Sequence, residues 1–156
     1  MTQVQYLTFN LGSELFAIEI LKVKEIIPFG NVTSIPLMQP FIKGVMNIRG
    51  SVIPIIDMNK RLELNTNMDS KKESIIIISL EYENESHDVG FIVSKVDKVF
   101  TKDTQELESI PIFGTKVKKI FIKNVAKVDD IFITILDIEK ILDFDELSIT
   151  TQTIEE

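Results

Sequence analysis

The apolar side chains of this 156-residue chain are strongly biased toward those that branch at Cβ. The sequence contains 26 Ile, 12 Val and 11 Thr but only two Ala, Ala17 and Ala126. Branched side chains lose rotamer freedom in a helix and pack well on a pleated sheet, whereas alanine is the usual filler between helices. The bias therefore predicts a mainly β protein with a few short helices.

Turn signals divide the apolar runs into hairpins. The Leu11-Gly12-Ser13, Arg49-Gly50 and Asp129-Asp130 turns each separate two strand-like runs. The predicted hairpins are 5–9 with 15–18, 41–48 with 51–56, and 119–128 with 131–136. The continuous apolar run SIIIISL at 74–80 predicts a strand that is covered on both faces.

A weak internal repeat relates the two halves of the chain. IDMNKRL at 56–62 aligns with LDIEKIL at 136–142, eighty residues later, and 17–26 aligns with 90–99, seventy-three residues later. Both pairs occur in the same order along the chain. Chance similarity within an Ile- and Lys-rich sequence is the alternative. The repeat predicts two related β subdomains of similar length.

We place these subdomains approximately at 15–70 and 74–136, with the N-terminal strand packing across them. A C-terminal helix is predicted over 137–147 and a flexible tail over 148–156. Short strands separated by regular turns are typical of small barrels, which hide the edges of their sheets by closing. The predicted fold class is therefore mainly β, with two tandem barrel-like subdomains and short helices.

Charge and composition exclude several classes of function. Seventeen Lys and Arg against 24 Asp and Glu give a net charge of −7, which disfavours a nucleic-acid partner. The absence of cysteine excludes disulfides and thiolate chemistry. No apolar run approaches the roughly 20 residues of a membrane span, and no signal peptide is evident. We expect an acidic, cytoplasmic protein without membrane insertion.

The sequence offers no convincing catalytic or metal site. Its single histidine, His87, lies in the polar stretch ENESHD and is interpreted as a solvated turn residue. Asp57 and Asp137 each precede a short helical pattern and are interpreted as N-caps rather than as paired catalytic carboxylates. No phosphate-binding loop or nucleophile elbow is present. We therefore predict no catalytic residue, metal or cofactor, and a function that resides in a surface.

Three segments read together resemble the CheW family of bacterial chemotaxis adaptors: QYLTFNLGSELFAIEILKVKEII, FIKGVMNIRGSVIPIIDMNKRL and ILDIEKIL. The match runs from about Gln5 to Leu142. It implies two intertwined five-stranded SH3-like barrels and a non-enzymatic role that couples chemoreceptors to the regulatory domain of the histidine kinase CheA in membrane-associated arrays. The chain has no room for the receiver of CheV proteins or the kinase domains of CheA, so a free-standing adaptor is expected; a fragment is the alternative.

The resemblance also implies site residues. For binding the cytoplasmic tip of receptors it implies five positions: Val23, Glu25, Gly44, Asn47 and Arg49. For contact with the kinase regulatory domain it implies Phe113, in SIPIFG. In the family, Glu25 and Arg49 correspond to an ion pair, which we expect to hold the hairpin in a defined pose. The alternatives are a packing or bulge glycine at Gly44, a solvated turn residue at Arg49 and a core residue at Phe113.

The sequence departs from the family pattern at two positions, and a competing function is also compatible with it. Ser94 stands where the family usually has Asp, and Asn124 where it usually has Gly; because Asn tolerates left-handed backbone, the fold is expected to survive. The competing function is a small β-barrel ligand-binding or sensor module that uses the cleft between the subdomains. That function would need titratable residues converging on facing strands, whereas the strand faces here carry Ile, Val and Phe.

Overall fold

The computed structural model describes residues 2–36, 38–64, 72–109 and 116–143. These residues form ten strands and two one-turn α-helices, so the predicted mainly β class is confirmed. None of the helices in the described ranges is long and apolar enough to cross a membrane. The strands are β1 Gln3–Leu11, β2 Glu14–Glu19, β3 Val23–Pro28, β4 Ile42–Ile48, β5 Ser51–Asp57, β6 Ser74–Tyr82, β7 Glu85–Val93, β8 Lys95–Asp103, β9 Ile122–Val128 and β10 Ile131–Leu136; the helices are α1 Met58–Arg61 and α2 Ile138–Ile141.

The two repeats exchange strands between two five-stranded sheets. Sheet A has the order β8-β1-β2-β10-β9 and sheet B the order β3-β6-β7-β5-β4. Sheet A combines the β1–β2 hairpin of the first repeat with β8, β9 and β10 of the second. Sheet B combines the β6–β7 hairpin of the second repeat with β3, β4 and β5 of the first. The predicted consecutive subdomains at 15–70 and 74–136 are wrong in this respect, because β2 pairs with β10 of the second half and β7 pairs with β5 of the first.

The repeat itself is confirmed by the register of the two parallel pairings. In sheet B, Ile55 lies opposite Gly90, and in sheet A, Ile135 lies opposite Ala17. The same displacements that align the sequences, eighty and seventy-three residues, convert one pairing into the other. The two sheets are therefore built on one plan.

The N-caps are also confirmed. The Asp57 carboxylate accepts a hydrogen bond from the Lys60 amide at 3.2 Å, and that of Asp137 accepts from the Lys140 amide at 3.3 Å. Each aspartate side chain thereby caps the first turn of its helix. The helix α2 begins where predicted but ends at Ile141, so the prediction of a helix over 137–147 is wrong at residues 142 and 143. Residues 144–147 and the predicted tail lie outside the described residues.

Both sheets close into barrels in the same way. The chain that leaves β3 reaches the opposite edge strand β4, where Thr33 and Val45 exchange backbone hydrogen bonds of 2.8 and 2.9 Å. The chain that leaves β8 reaches β9, where Glu108 and Val125 exchange bonds of 2.8 and 3.0 Å. Closure pairs edges that would otherwise be exposed. We call the two units barrel A and barrel B, after their sheets.

Three apolar cores result, one inside each barrel and a larger one between the sheets. The strand β6 shows how they are filled: Ile75 and Ile77 point into barrel B, whereas Ile76 and Ile78 point into the core between the sheets. All four are fully buried. The prediction that SIIIISL is covered on both faces is confirmed, and we call the core between the sheets the shared core.

The two departures from the family pattern have different local explanations. Ser94 lies at the passage from β7 to β8; its hydroxyl accepts from the Gly12 amide at 2.7 Å, and its own amide donates to the Asn10 carbonyl at 2.8 Å. Asn124 pairs with Ile135 in extended strand β9 and has no positive φ. The argument from left-handed backbone at Asn124 is therefore wrong, because a strand position imposes no such demand.

A buried hydroxyl stabilises the irregular pairing between β1 and β8. Thr8 is fully buried at a register shift between these strands. Its hydroxyl donates to the Lys98 carbonyl at 2.7 Å and accepts from the Lys98 amide at 2.9 Å. The side chain thus supplies both hydrogen bonds that the shifted backbone does not make with Lys98.

Replacing Thr8 with Val preserves the branched shape and deletes both hydrogen bonds. We expect the free energy of unfolding to fall by about 1–3 kcal/mol, because buried polar groups lose their partner. Urea denaturation measures the change. Thr101→Val, the same substitution at an exposed position of β8, is the control and should alter stability by no more than about 0.5 kcal/mol. Equal losses in the two variants would contradict this role of Thr8.

Candidate functional site

The expected ion pair between Glu25 and Arg49 is present in barrel B, where it joins β3 to the turn between β4 and β5. Arg49 Nη1 donates to Glu25 Oε1 at 2.8 Å and Nη2 donates to Oε2 at 2.9 Å, so the pair is bidentate. The side chain of Arg49 is 75% exposed and that of Glu25 is 21% exposed. A surface pair contributes at most about 1 kcal/mol to stability. Its main effect is geometric: it fixes the tip of the β4–β5 hairpin against β3.

The hairpin tip itself has the backbone of a type I′ turn. Arg49 and Gly50 have φ values of +51° and +85°, and the twist of such a turn matches that of the flanking strands. Glycine adopts this conformation at no steric cost, whereas arginine is strained there. The Asn47 side-chain oxygen accepts from the Gly50 amide at 3.0 Å and holds the turn closed.

Gly44 is required by the closure of barrel B. A Cβ at this position would lie 2.1 Å from the Thr33 carbonyl oxygen, an impossible approach. The missing side chain therefore admits the chain's own segment around Thr33, which pairs with Val45. The geometry thus supports the explanation of Gly44 as a packing glycine, and a register shift between Ile42 and Gly44 also marks an irregularity of the strand pairing there.

The five predicted receptor-binding residues thus divide into exposed and supporting positions. Glu25, Asn47 and Arg49 lie together at the surface, and we call them the hairpin patch. Gly44 is buried beneath the hairpin. Val23 is half-buried on the same strand as Glu25 and packs against the shared core.

Phe113 lies outside the described residues, but the residues on either side of its segment share a groove on barrel A. Ser109 and Lys116 both line this groove, whose volume is about 490 Å³. Its walls come from β2, β9 and β10 and are mainly apolar. Phe132, 59% exposed, forms part of the lining, and Lys116 pairs with Glu14 at 2.6 Å.

Exposed apolar side chains occur at equivalent places on the two barrels. Val52 and Phe132, at the starts of β5 and β10, are 66% and 59% exposed. Ile26 and Val99, on β3 and β8, are 44% and 43% exposed. The repeat alignment relates each pair. Sequence reasoning missed Val52 and Phe132 because both stand within nearly continuous apolar runs, where the inward and outward positions look alike.

Two ion pairs join β2 to β9 and the turn after β2 to α2. Lys123 donates to Glu19 at 2.7 Å, and this hydrogen bond raises the pKa of Lys123. Lys22 donates to Glu139, and this hydrogen bond lowers the pKa of the Glu139 carboxyl. Burial raises the pKa of the nearby Tyr6. These are surface contacts that tie elements of the fold together.

The interpretation of His87 as a turn residue is wrong. His87 lies within β7 opposite Leu80, and its ring makes a T-shaped contact with that of Tyr82, while the turn is formed by Glu83 and Asn84. Its side chain is 37% exposed. Across the described ranges, no three His, Cys, Asp or Glu side chains are grouped closely enough to hold a metal ion.

Comparisons with known proteins agree on one family. The CheW-like domain family matches residues 5–146. The chemotaxis protein CheW of Klebsiella aerogenes is 31% identical over 145 residues, covering 93% of this chain and 85% of the relative. The CheW of Bacillus subtilis is 32% identical over 142 residues, covering 91% and 88%. The crystal structure of the scaffolding protein TtCheW from Thermoanaerobacter tengcongensis superimposes with a TM-score of 0.80 at 31% identity, covering 92% of this chain and 90% of that one.

Gly44→Ala tests the role of Gly44 in barrel closure. We expect the free energy of unfolding to fall by about 1–3 kcal/mol, because the new methyl group overlaps a backbone oxygen and forces the strands apart. Chemical denaturation measures the loss. Gly30→Ala, where no atom lies within 4 Å of the new Cβ, is the matched control, and it should be neutral or stabilising by about 0.4–1 kcal/mol. Parent-like stability of Gly44→Ala would refute the explanation.

Proposed function

Because the chain belongs to the CheW family of chemotaxis scaffold proteins, we propose that it is a non-enzymatic adaptor linking the cytoplasmic tips of chemoreceptors to the histidine kinase CheA. The observation that carries this proposal is the presence of two separate candidate surfaces on one body, the hairpin patch on barrel B and the groove on barrel A. In this role the protein resides in the cytoplasm and is recruited to membrane-associated receptor arrays.

We assign the receptor contact to the hairpin patch, with Val23 and Gly44 shaping it from below. The Arg49 guanidinium is largely exposed, so a partner can reach it. The bidentate pair with Glu25 restricts its rotamers before any partner arrives, which lowers the entropy lost on binding. Asn47 contributes by holding the turn that carries Arg49.

We assign the kinase contact to Phe113 and to the groove on barrel A. Aromatic side chains in apolar surroundings are frequent anchors of protein interfaces. The groove has apolar walls and an exposed ring at Phe132, and Ser109 and Lys116 connect it to the segment that contains Phe113. Since this groove and the hairpin patch belong to different barrels, two partners can bind at once.

The competing function, a ligand-binding or sensor module in an inter-barrel cleft, has less support. The shared core fills the space between the sheets in the described part of the chain. The buried polar residues of the described ranges are Thr8 and Asp103; neither belongs to the shared core, and both make hydrogen bonds within the fold. An adaptor that works through its outer surfaces fits this distribution better.

Arg49→Asp separates the two proposed contacts. The change places two carboxylates side by side and removes the exposed cation, so we expect affinity for an isolated receptor tip to fall by about tenfold or more. Affinity for the isolated kinase regulatory domain should stay within about threefold, because rim charges act locally at physiological salt. Isothermal titration measures both. Lys60→Asp, the same charge change at an exposed position of α1, should leave both affinities unchanged.

Phe113→Ser is the reciprocal variant for the same titrations. It should weaken kinase binding by about 1–3 kcal/mol and leave receptor binding intact. Phe113→Leu, which keeps an apolar side chain, should lie between the parent and Phe113→Ser. Loss of both partners in both Arg49→Asp and Phe113→Ser, at parent-like melting temperatures, would show that the two-surface assignment is wrong.

A further inference from the structure

Arg61, the last residue of α1, reaches from barrel B to barrel A. Its guanidinium carbon lies 4.6 Å from the centre of the Phe41 ring and 5.0 Å from that of Phe121, and its Nε donates to the Ile141 carbonyl at 2.6 Å. Phe41 directly precedes β4 of barrel B. Phe121 directly precedes β9 of barrel A, and Ile141 belongs to α2, which follows β10. One half-buried side chain therefore contacts groups of both barrels.

This contact lies where equivalent parts of the two repeats meet. The displacement of eighty residues relates Phe41 to Phe121 and Arg61 to Ile141. The carbonyls of Phe41 and Phe121 even accept equivalent backbone hydrogen bonds, of 2.7 and 2.8 Å, from the two N-cap residues. The position equivalent to Arg61 is a fully buried isoleucine, so a single arginine serves both halves of the junction.

The shared core resists separation of the barrels, and its close packing limits the angles that they can adopt; the hydrophobic effect that favours it has no direction of its own. The contacts of Arg61 are directional. A planar guanidinium packs against aromatic faces, and its Nε–H bond must point at one carbonyl. We propose that Arg61 is a positioning residue that sets the orientation of barrel A relative to barrel B.

This inference rests on the proposed function for its biological consequence. With the hairpin patch on barrel B and the groove on barrel A, the angle between the barrels determines how a bound receptor is placed relative to a bound kinase. A loosened junction would leave each surface intact and impair only their joint use.

Residual dipolar couplings of the backbone amides in the full, isotope-labelled chain report the orientation directly. One alignment tensor should fit the amides of both barrels in the parent protein. In Arg61→Met, which keeps an unbranched side chain but removes the guanidinium, we expect this common fit to be lost. Arg61→Lys keeps the charge without the planar group or the Nε contact and should behave likewise. Lys60→Met removes a cation from the neighbouring exposed position of α1 and should retain the single tensor.

A single tensor that fits both barrels of Arg61→Met as well as it fits the parent would overturn the proposal, whatever the melting temperature. Binding of the isolated receptor tip and kinase regulatory domain is a second readout. We expect each partner alone to bind Arg61→Met within about threefold of the parent, and the two together about tenfold more weakly. If the parent binds neither partner, the proposed function fails, and the alignment result still decides the role of Arg61.

Discussion

The shared core between the two sheets is the interaction on which the rest of the structure depends. It draws buried side chains from β1 and β2 of sheet A and from β6 and β7 of sheet B, together with residues of both short helices. Because the repeats exchange strands, neither repeat contains all five strands of one sheet. Each barrel is therefore completed by the other half of the chain, and the two surfaces proposed for partner binding belong to one folded body.

The hairpin patch is built at the place where barrel B closes. Gly44 lets the segment around Thr33 pair with β4, the turn at Arg49 and Gly50 directs the hairpin tip, and the ion pair ties that tip to Glu25 on β3. The same residues thus serve closure and the proposed receptor contact. A substitution in the hairpin patch could weaken binding by disturbing the closure of barrel B. Its effect on affinity is therefore compared with its effect on stability.

Local chemistry was sufficient to predict the hairpins, the two aspartate caps and the strand buried on both faces, because each follows from residues close in sequence. The exchange of strands was not predictable in this way. Turn residues identify which strands form a hairpin, but the parallel pairings of β5 with β7 and β2 with β10 join distant parts of the chain. A sequence repeat is equally compatible with consecutive and with exchanged units.

Dependence on distant contacts also explains why the roles of several individual residues were not predicted from the sequence. Thr8 and Arg61 owe their roles to contacts with residues about eighty to ninety positions away, and no local pattern marks them. Phe132 is exposed although its neighbours in the strand suggest a core position. His87 lies in a strand because β7 begins at Glu85, within a stretch whose composition is typical of turns. The residues of the hairpin patch were predicted from the family resemblance. The fold explains their contact, because the closure of barrel B brings β3 beside the β4–β5 turn.

The central claim is that one chain holds two different partners at the same time on separate surfaces. Sedimentation velocity of an equimolar mixture of the full chain, an isolated receptor tip and the isolated kinase regulatory domain tests it most directly. Our account predicts one boundary that contains all three components and is absent when the chain is omitted. Two separate binary complexes, with each partner displacing the other as its concentration rises, would contradict it.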